Sequence, residues 1–251
     1  MWKERIVKAA HGAVSLCMGL FFVLMGLYAV YALVDNSRVY EKAEHVQAGM
    51  AQLKPDAAGP NREKEFAELK AVNPDICAWL TLDNTGVDHP VVQGKTNLTY
   101  INTDVYGEFA LSGSIYLDSR NDPNFSDAYA VVYGHHMENG SMFGDLDLYL
   151  DPVFFRENNT GELLLADRVY DLKILACLTV SASDSVIFAP FAGADKIDRL
   201  VSYARKKAAH VQDDALSALT RDAQIIALTT CSSAFTDART IVLAAMEQKE
   251  R

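Results

Sequence analysis

Cysteine, glycine, proline and positive charge are all scarce in this chain. Its four cysteines, at 17, 77, 177 and 231, stand far apart with no CxxC pair. Neither a disulfide framework nor a zinc cluster is therefore expected, and no metal or other cofactor. With 14 glycines and 7 prolines in 251 residues, collagen-like and low-complexity architectures fall away. Asp and Glu, 33 of them, outnumber the 23 Lys and Arg, leaving a formal net charge of -10. The basic footprint that grips phosphates is missing, so nucleic acid is not an expected partner. What the chain has in quantity is apolar side chains, 50% of the total, enough to bury a core and to exclude wholesale disorder.

Charge is absent altogether from Gly12 to Val34, a run of 23 residues. As a helix this run is long enough to cross a hydrocarbon layer of about 30 Å. Lys3, Arg5 and Lys8 precede it and Asp35 follows, so the positive-inside bias places the N-terminus in the cytoplasm and the rest outside the cell. The competing reading, a cleaved secretory signal, calls for an apolar stretch of about 7–15 residues and a small-residue cleavage pattern that is not evident here. The expected division is a cytoplasmic N-terminus at 1–11, a transmembrane signal anchor at 12–34, a helical stalk at 35–72 and a catalytic or binding domain at 73–251. Cys17 then falls inside the span, as a lipid-facing or packing residue.

Within the stalk, Val39, Ala43, Val46, Met50 and Leu53 recur at helical spacing. Pro55, Gly59 and Pro60 should end that helix, and Asn61 could cap a second that Asn73-Pro74 stops. From there the period changes. Segments 76–82, 87–92, 114–117, 128–133, 162–166, 169–180, 224–230 and 240–245 read as strands, separated by turn-rich pieces such as Asp83-Asn84-Thr85-Gly86. Eight short strands imply a closed or nearly closed barrel, interrupted by one amphipathic helix over Asp195–Val211.

Two of these strands end on reactive groups. Gln224-Ile-Ile-Ala-Leu-Thr-Thr-Cys231 delivers a thiol at its C-terminal end, and Arg239 opens the next apolar run. If those strands are neighbours, the guanidinium lies near the sulfur, where it favours a thiolate and offers donors to an oxyanion. The strand ending at Tyr133 leads into Gly134-His135-His136-Met137, and a histidine at a strand end suits an imidazole that exchanges a proton with a thiol. Cys77 and Cys177 read as core residues.

In combination these pieces resemble the sortases, and within them class B. The matching segments are Trp79-Leu80, Val91-Val92-Gln93-Gly94, Gly113-Ser-Ile-Tyr-Leu-Asp118, Tyr133-Gly-His-His-Met137, Ser141-Met-Phe-Gly-Asp-Leu146, and Leu228-Thr-Thr-Cys231 with Arg239. Together they cover most of 73–245. The family signature often begins with Thr where this chain has Ala227.

The resemblance implies an all-β-dominated fold, an eight-stranded sortase-type β-barrel with accessory helices, held at the outer face of a Gram-positive cell membrane by one N-terminal transmembrane helix. It implies a cysteine transpeptidase in which Cys231 is the nucleophile, His135 the general acid/base, and Arg239 the group that positions substrate and supports the oxyanion. His136 would be structural or supporting. Asn97, Ile101, Thr229 and Thr230 would contact substrate, and the helix over 195–211 would wall the groove. Implied partners are surface proteins bearing a C-terminal sorting motif and an amine of a peptidoglycan precursor or of a pilin. Wall anchoring and pilin polymerisation both remain open. A papain-like cysteine hydrolase would usually place its cysteine at a helix start, whereas Cys231 ends a strand. A non-enzymatic anchored adhesin would be expected to carry its own C-terminal sorting motif.

Overall fold

The computed structural model describes residues 2–189, 195–231 and 236–249; of Cys231 only the backbone is described. The chain divides into two compact units, Met1–Glu41 and Lys42–Arg251. A single helix, α1 (Trp2–Ala51), makes up the first unit and supplies the opening residues of the second. The apolar run and the first stalk helix are thus one continuous helix. No proline falls before Pro55 and no glycine falls between Gly26 and Gly49, so nothing stops the helix between the apolar run and the stalk. The apolar part reaches a mean hydropathy of 2.2 over an 18-residue window, with none of that window buried. It is long and apolar enough to cross a membrane.

In the second unit eight strands form a ring. β1 (Ile76–Leu82) pairs antiparallel with β2 (Asp88–Val92), and β2 runs parallel to β3 (Ile115–Leu117). β3 turns back antiparallel onto β4 (Tyr129–Tyr133), and β4 lies parallel to β8 (Gln224–Cys231). β8 and β9 (Ala238–Gln248) form an antiparallel pair, β9 pairs with β6 (Val169–Ser181), β6 with β5 (Thr160–Leu164), and β5 with β1. The last pairing closes an eight-stranded barrel. The expected barrel is therefore what the chain forms.

Strands β4 and β8 read as continuous apolar runs rather than alternating ones because both of their faces are buried. One face contributes to a core of Tyr129, Val131, Leu178, Ile225 and Ile241 beneath helices α4 (Lys196–Lys207) and α5 (Asp213–Ala218). A second core gathers Trp79, Tyr100 and Leu164 with Met50 of α1 and Phe66 and Leu69 of α2 (Arg62–Val72). Each fully buried side chain of this size contributes about 2 kcal/mol.

Two expectations are corrected. The helix over 195–211 ends at Lys207, because His210 and Val211 leave it to form β7 on β6, pairing with Cys177 and Ala176. Asn61 precedes α2 but makes no side-chain capping bond; its carbonyl instead accepts from the amides of Lys64 and Glu65. A 3₁₀ turn at Gly144–Leu150 and a short helix α3 (Pro152–Glu157) were not foreseen. A legible signal was present for α3: Asp151 caps it by accepting from the Val153 and Phe154 amides, and Pro152 stands at its first position.

Candidate active site

The parallel pairing of β4 with β8 sets Tyr133 opposite Thr229, and the antiparallel pairing of β8 with β9 sets Cys231 opposite Arg239. Three strand ends thus converge at one rim of the barrel. There a cleft of about 260 Å³ opens, and His135, Arg239, Ile101, Thr229 and Thr230 all line it. Five residues expected from sequence alone are brought together. The Cys231 thiol lies outside the described residues; its backbone closes β8 next to Thr229 and Thr230.

His135 is held by its neighbours. The amide of Gly134 donates to the Thr229 carbonyl at 3.1 Å, and the amide of Phe143 donates to the His135 carbonyl at 3.0 Å. A side chain at 134 would come within 2.5 Å of Ile115 and 2.7 Å of Phe143, so glycine is required for β4 to pass this point. The imidazole Nε2 meets the Ile101 carbonyl at 2.6 Å. A carbonyl oxygen can only accept, so Nε2 carries the hydrogen. Nδ1 is left as the nitrogen for proton exchange, and the Ile101 carbonyl fixes both tautomer and ring orientation.

That carbonyl is itself placed by Gly113, whose φ of +56° is in the left-handed region. A Cβ there would fall 2.5 Å from the Ile101 oxygen and 2.7 Å from that of Tyr100. Only glycine lets the 100–101 and 113 backbones approach this closely.

His136 takes another path. Its Nε2 lies 3.0 Å from Asp147 Oδ2, while Thr240 donates from Oγ1 to Asp147 Oδ1 at 2.7 Å. Thr240 is fully buried, follows Arg239 and pairs with Thr230. Asp147 thus links His136, after β4, to Thr240 of β9.

Asn97 is not among the residues that line the cleft; its amide nitrogen donates to Asp118 at 3.0 Å and its amide oxygen accepts from the Ser119 amide at 2.7 Å. The hydroxyls of Thr229 and Thr230 are buried and have no partner among the described residues. Unmade hydrogen bonds of this kind cost about 1–3 kcal/mol each.

Sequence reasoning missed the aromatic wall of the cleft. Tyr133 stacks between Tyr116, at a ring separation of 5.2 Å, and Phe188, at 6.3 Å. Both tyrosines stand in segments already singled out, beside the histidine and within the β3 motif, and a tyrosine at a strand end next to a reactive group was the available signal. Phe188 lies in the loop after β6, and four successive carbonyls there are pinned. Lys196 Nζ donates to Val186 at 2.6 Å and to Ala189 at 2.9 Å, the Tyr129 hydroxyl to Ile187 at 2.9 Å, and Arg120 to Phe188 at 3.1 Å. Burial, with Arg199 nearby, depresses the Lys196 ammonium to about 8.

The thiols of Cys77 and Cys177 are poor nucleophiles. Burial pushes both Cys77 and Cys177 up to about 12, so neither forms a thiolate at neutral pH.

The Sortase domain family model matches residues 80–247. Sortase B of Staphylococcus aureus is 25% identical over 224 residues, covering 89% of this chain and 90% of that protein. The crystal structure of a Streptococcus pyogenes class B sortase involved in pilus biogenesis is 34% identical with a TM-score of 0.66, covering 72% of this chain and 97% of that one. Clostridium perfringens sortase B is 30% identical with a TM-score of 0.67, covering 74% and 100%. A barrel of this topology, with a histidine and an arginine sharing a cleft at the end of the cysteine-bearing strand, and kinship of this extent, lead to one assignment: the chain belongs to the sortase family, class B.

Proposed function

We propose that this chain is a membrane-anchored cysteine transpeptidase that cleaves a C-terminal sorting motif of surface proteins after Thr and joins the fragment to an amine of the peptidoglycan precursor. The observation that carries the reading is the meeting of His135 and Arg239 in one cleft, with Arg239 directly across the β-ladder from Cys231. The Cys231 thiol gives its proton to His135 Nδ1 as the sulfur attacks the Thr carbonyl, and the carbonyl electron pair moves onto the oxygen, where Arg239 offers its donors. As the tetrahedral centre collapses, the C–N bond breaks and the amine leaves with a proton from His135 Nδ1. The acceptor amine then attacks the thioester, gives a proton back to His135, and releases the thiol. Splitting amide exchange into two acyl transfers lowers each barrier. Thr229, Thr230 and Ile101 serve substrate from the cleft lining, and residues 73–251 form the catalytic domain. The apolar run of α1 would hold it to the outer face of the membrane as a single span, its N-terminus cytoplasmic.

A pilin amine as acceptor is the second reading, since the class B sortase of Streptococcus pyogenes noted above is involved in pilus biogenesis. One experiment tests the scheme: a library of sorting-motif peptides is offered to the full chain in detergent, with and without amine acceptors, and thioacyl adducts and products are read by mass spectrometry. Expected are an adduct on Cys231, its loss in Cys231→Ala, and amide products whenever amine is abundant. Arg239→Lys should slow the reaction, since a point charge lacks the planar fork. An adduct surviving in Cys231→Ala, or free acid alone in excess amine, would refute the transpeptidase reading.

A further inference from the structure

Behind the aromatic wall lies a carboxylate to which the scheme above gives no part. Asp118 follows β3, and its side chain is 0% exposed. Burial on its own would raise this carboxyl, but hydrogen bonds from Arg120, Asn97 and Tyr133 outweigh that and hold it below the usual carboxylate value. It is ionised at neutral pH. Oδ2 accepts from Tyr133 Oη at 2.9 Å, Asn97 Nδ2 at 3.0 Å and Arg120 Nη2 at 2.7 Å; Oδ1 accepts from Arg120 Nε at 2.8 Å and from the Arg120 amide at 3.0 Å.

Its donors lead to separate parts of the cleft. Tyr133 is the middle ring of the aromatic stack. Arg120 extends the same Nη2 to the Phe188 carbonyl, tying down the stack's outer ring. Asn97 belongs to the 93–101 segment, which ends on the Ile101 carbonyl that orients His135. A carboxylate buried for stability alone could take its donors from anywhere; here Tyr133 lines the cleft and Arg120 and Asn97 each hold a segment that does. A buried charge tolerates few alternative arrangements, because each lost donor leaves part of it uncompensated.

We propose that Asp118 is a positioning residue for the reaction: it locks the Tyr116–Tyr133–Phe188 wall and the 93–101 segment into one arrangement that seats the sorting-motif peptide, and so governs substrate capture rather than the reactivity of the thiol. This rests on the transpeptidase reading.

The test is steady-state kinetics of the full chain in detergent with the peptide that acylates it, alongside iodoacetamide labelling of Cys231 against pH, followed by peptide mapping. Asp118→Asn keeps the size and removes the charge; KM should rise about tenfold, with kcat within about threefold and the labelling profile unmoved. Tyr133→Phe deletes one donor and leaves the ion pair with Arg120. It should raise KM by a smaller factor, and it should add nothing further in the Asp118→Asn background. A merely structural role would lower the amount of active enzyme, and with it the apparent kcat, leaving KM alone. If Asp118→Asn does not fold, Tyr133→Phe and Arg120→Gln carry the same prediction. Unchanged KM in the variants of an active chain overturns this inference alone. A wild-type chain that forms no thioacyl adduct overturns the functional reading, and this inference with it.

Discussion

Acidification should weaken this fold through one histidine that is not part of the cleft lining. His89 lies in β2, 5% exposed, and its Nε2 has no hydrogen-bond partner among the described residues. Ala43, Val46 and Met50 of α1 line the same small cavity as its ring. Burial lowers its pKa from 6.5 to about 4, with the adjacent Asp88 carboxylate opposing the shift. Between those two values the unfolded chain binds a proton that the native chain refuses, so stability falls as pH drops through that window. The linkage integral gives a loss of about 2 kcal/mol on going from about pH 8 to about pH 5, and about 3 kcal/mol below pH 4. The assay is chemical denaturation of the full chain in detergent at both pH values, beside His89→Gln. All other titrating groups are common to the two chains, so the difference between their pH dependences isolates this one. The wild type should lose about 2 kcal/mol more than the variant over that interval. Equal losses would refute the claim that a neutral, buried imidazole underlies the acid sensitivity.

Two further outcomes follow from the cleft itself. Gly113→Ala would force a Cβ to 2.5 Å from the Ile101 oxygen; kcat/KM should fall roughly tenfold to a hundredfold as His135 loses its fixed orientation, and wild-type kinetics would detach that carbonyl from the mechanism. Lys196→Met keeps an unbranched side chain but removes the ammonium that sits over the Tyr129 ring and donates to the Val186 and Ala189 carbonyls. A loss of about 2 kcal/mol is expected in denaturation, less than two orphaned carbonyls alone would cost because an ammonium is no longer buried. KM should rise with it as Phe188 shifts, and an unchanged KM would show that this loop does not shape the wall.

Most strands could be read from composition because β-branched and aromatic runs bounded by turns are a local property. Segment 76–82 matches β1 residue for residue, and 224–230 falls one residue short of β8. The proposed trio was legible for a related reason: Cys231, His135 and Arg239 each stand where an apolar run meets a polar loop, and such junctions can be located without knowing the fold. The end of α4 was not legible. Ala208 would have continued the apolar face, and only the open edge of β6 beyond its pairing with β5 explains why His210 and Val211 pair there instead. The partners of Asn97 were not legible either: its amide bonds Asp118 and Ser119, residues more than twenty positions away.

On its own, then, the amino-acid order determined where the strands and the long apolar helix lie, that a cysteine, a histidine and an arginine each sit at a strand end, and which family the chain resembles. Only the tertiary structure decided that β4 lies beside β8 and β8 beside β9. From those pairings come the common cleft, the aromatic wall, the Ile101 carbonyl against His135 and the carboxylate behind them. The physical reason is that periodicity reports how much of a residue is buried, whereas partner and register emerge from closing the whole barrel at once.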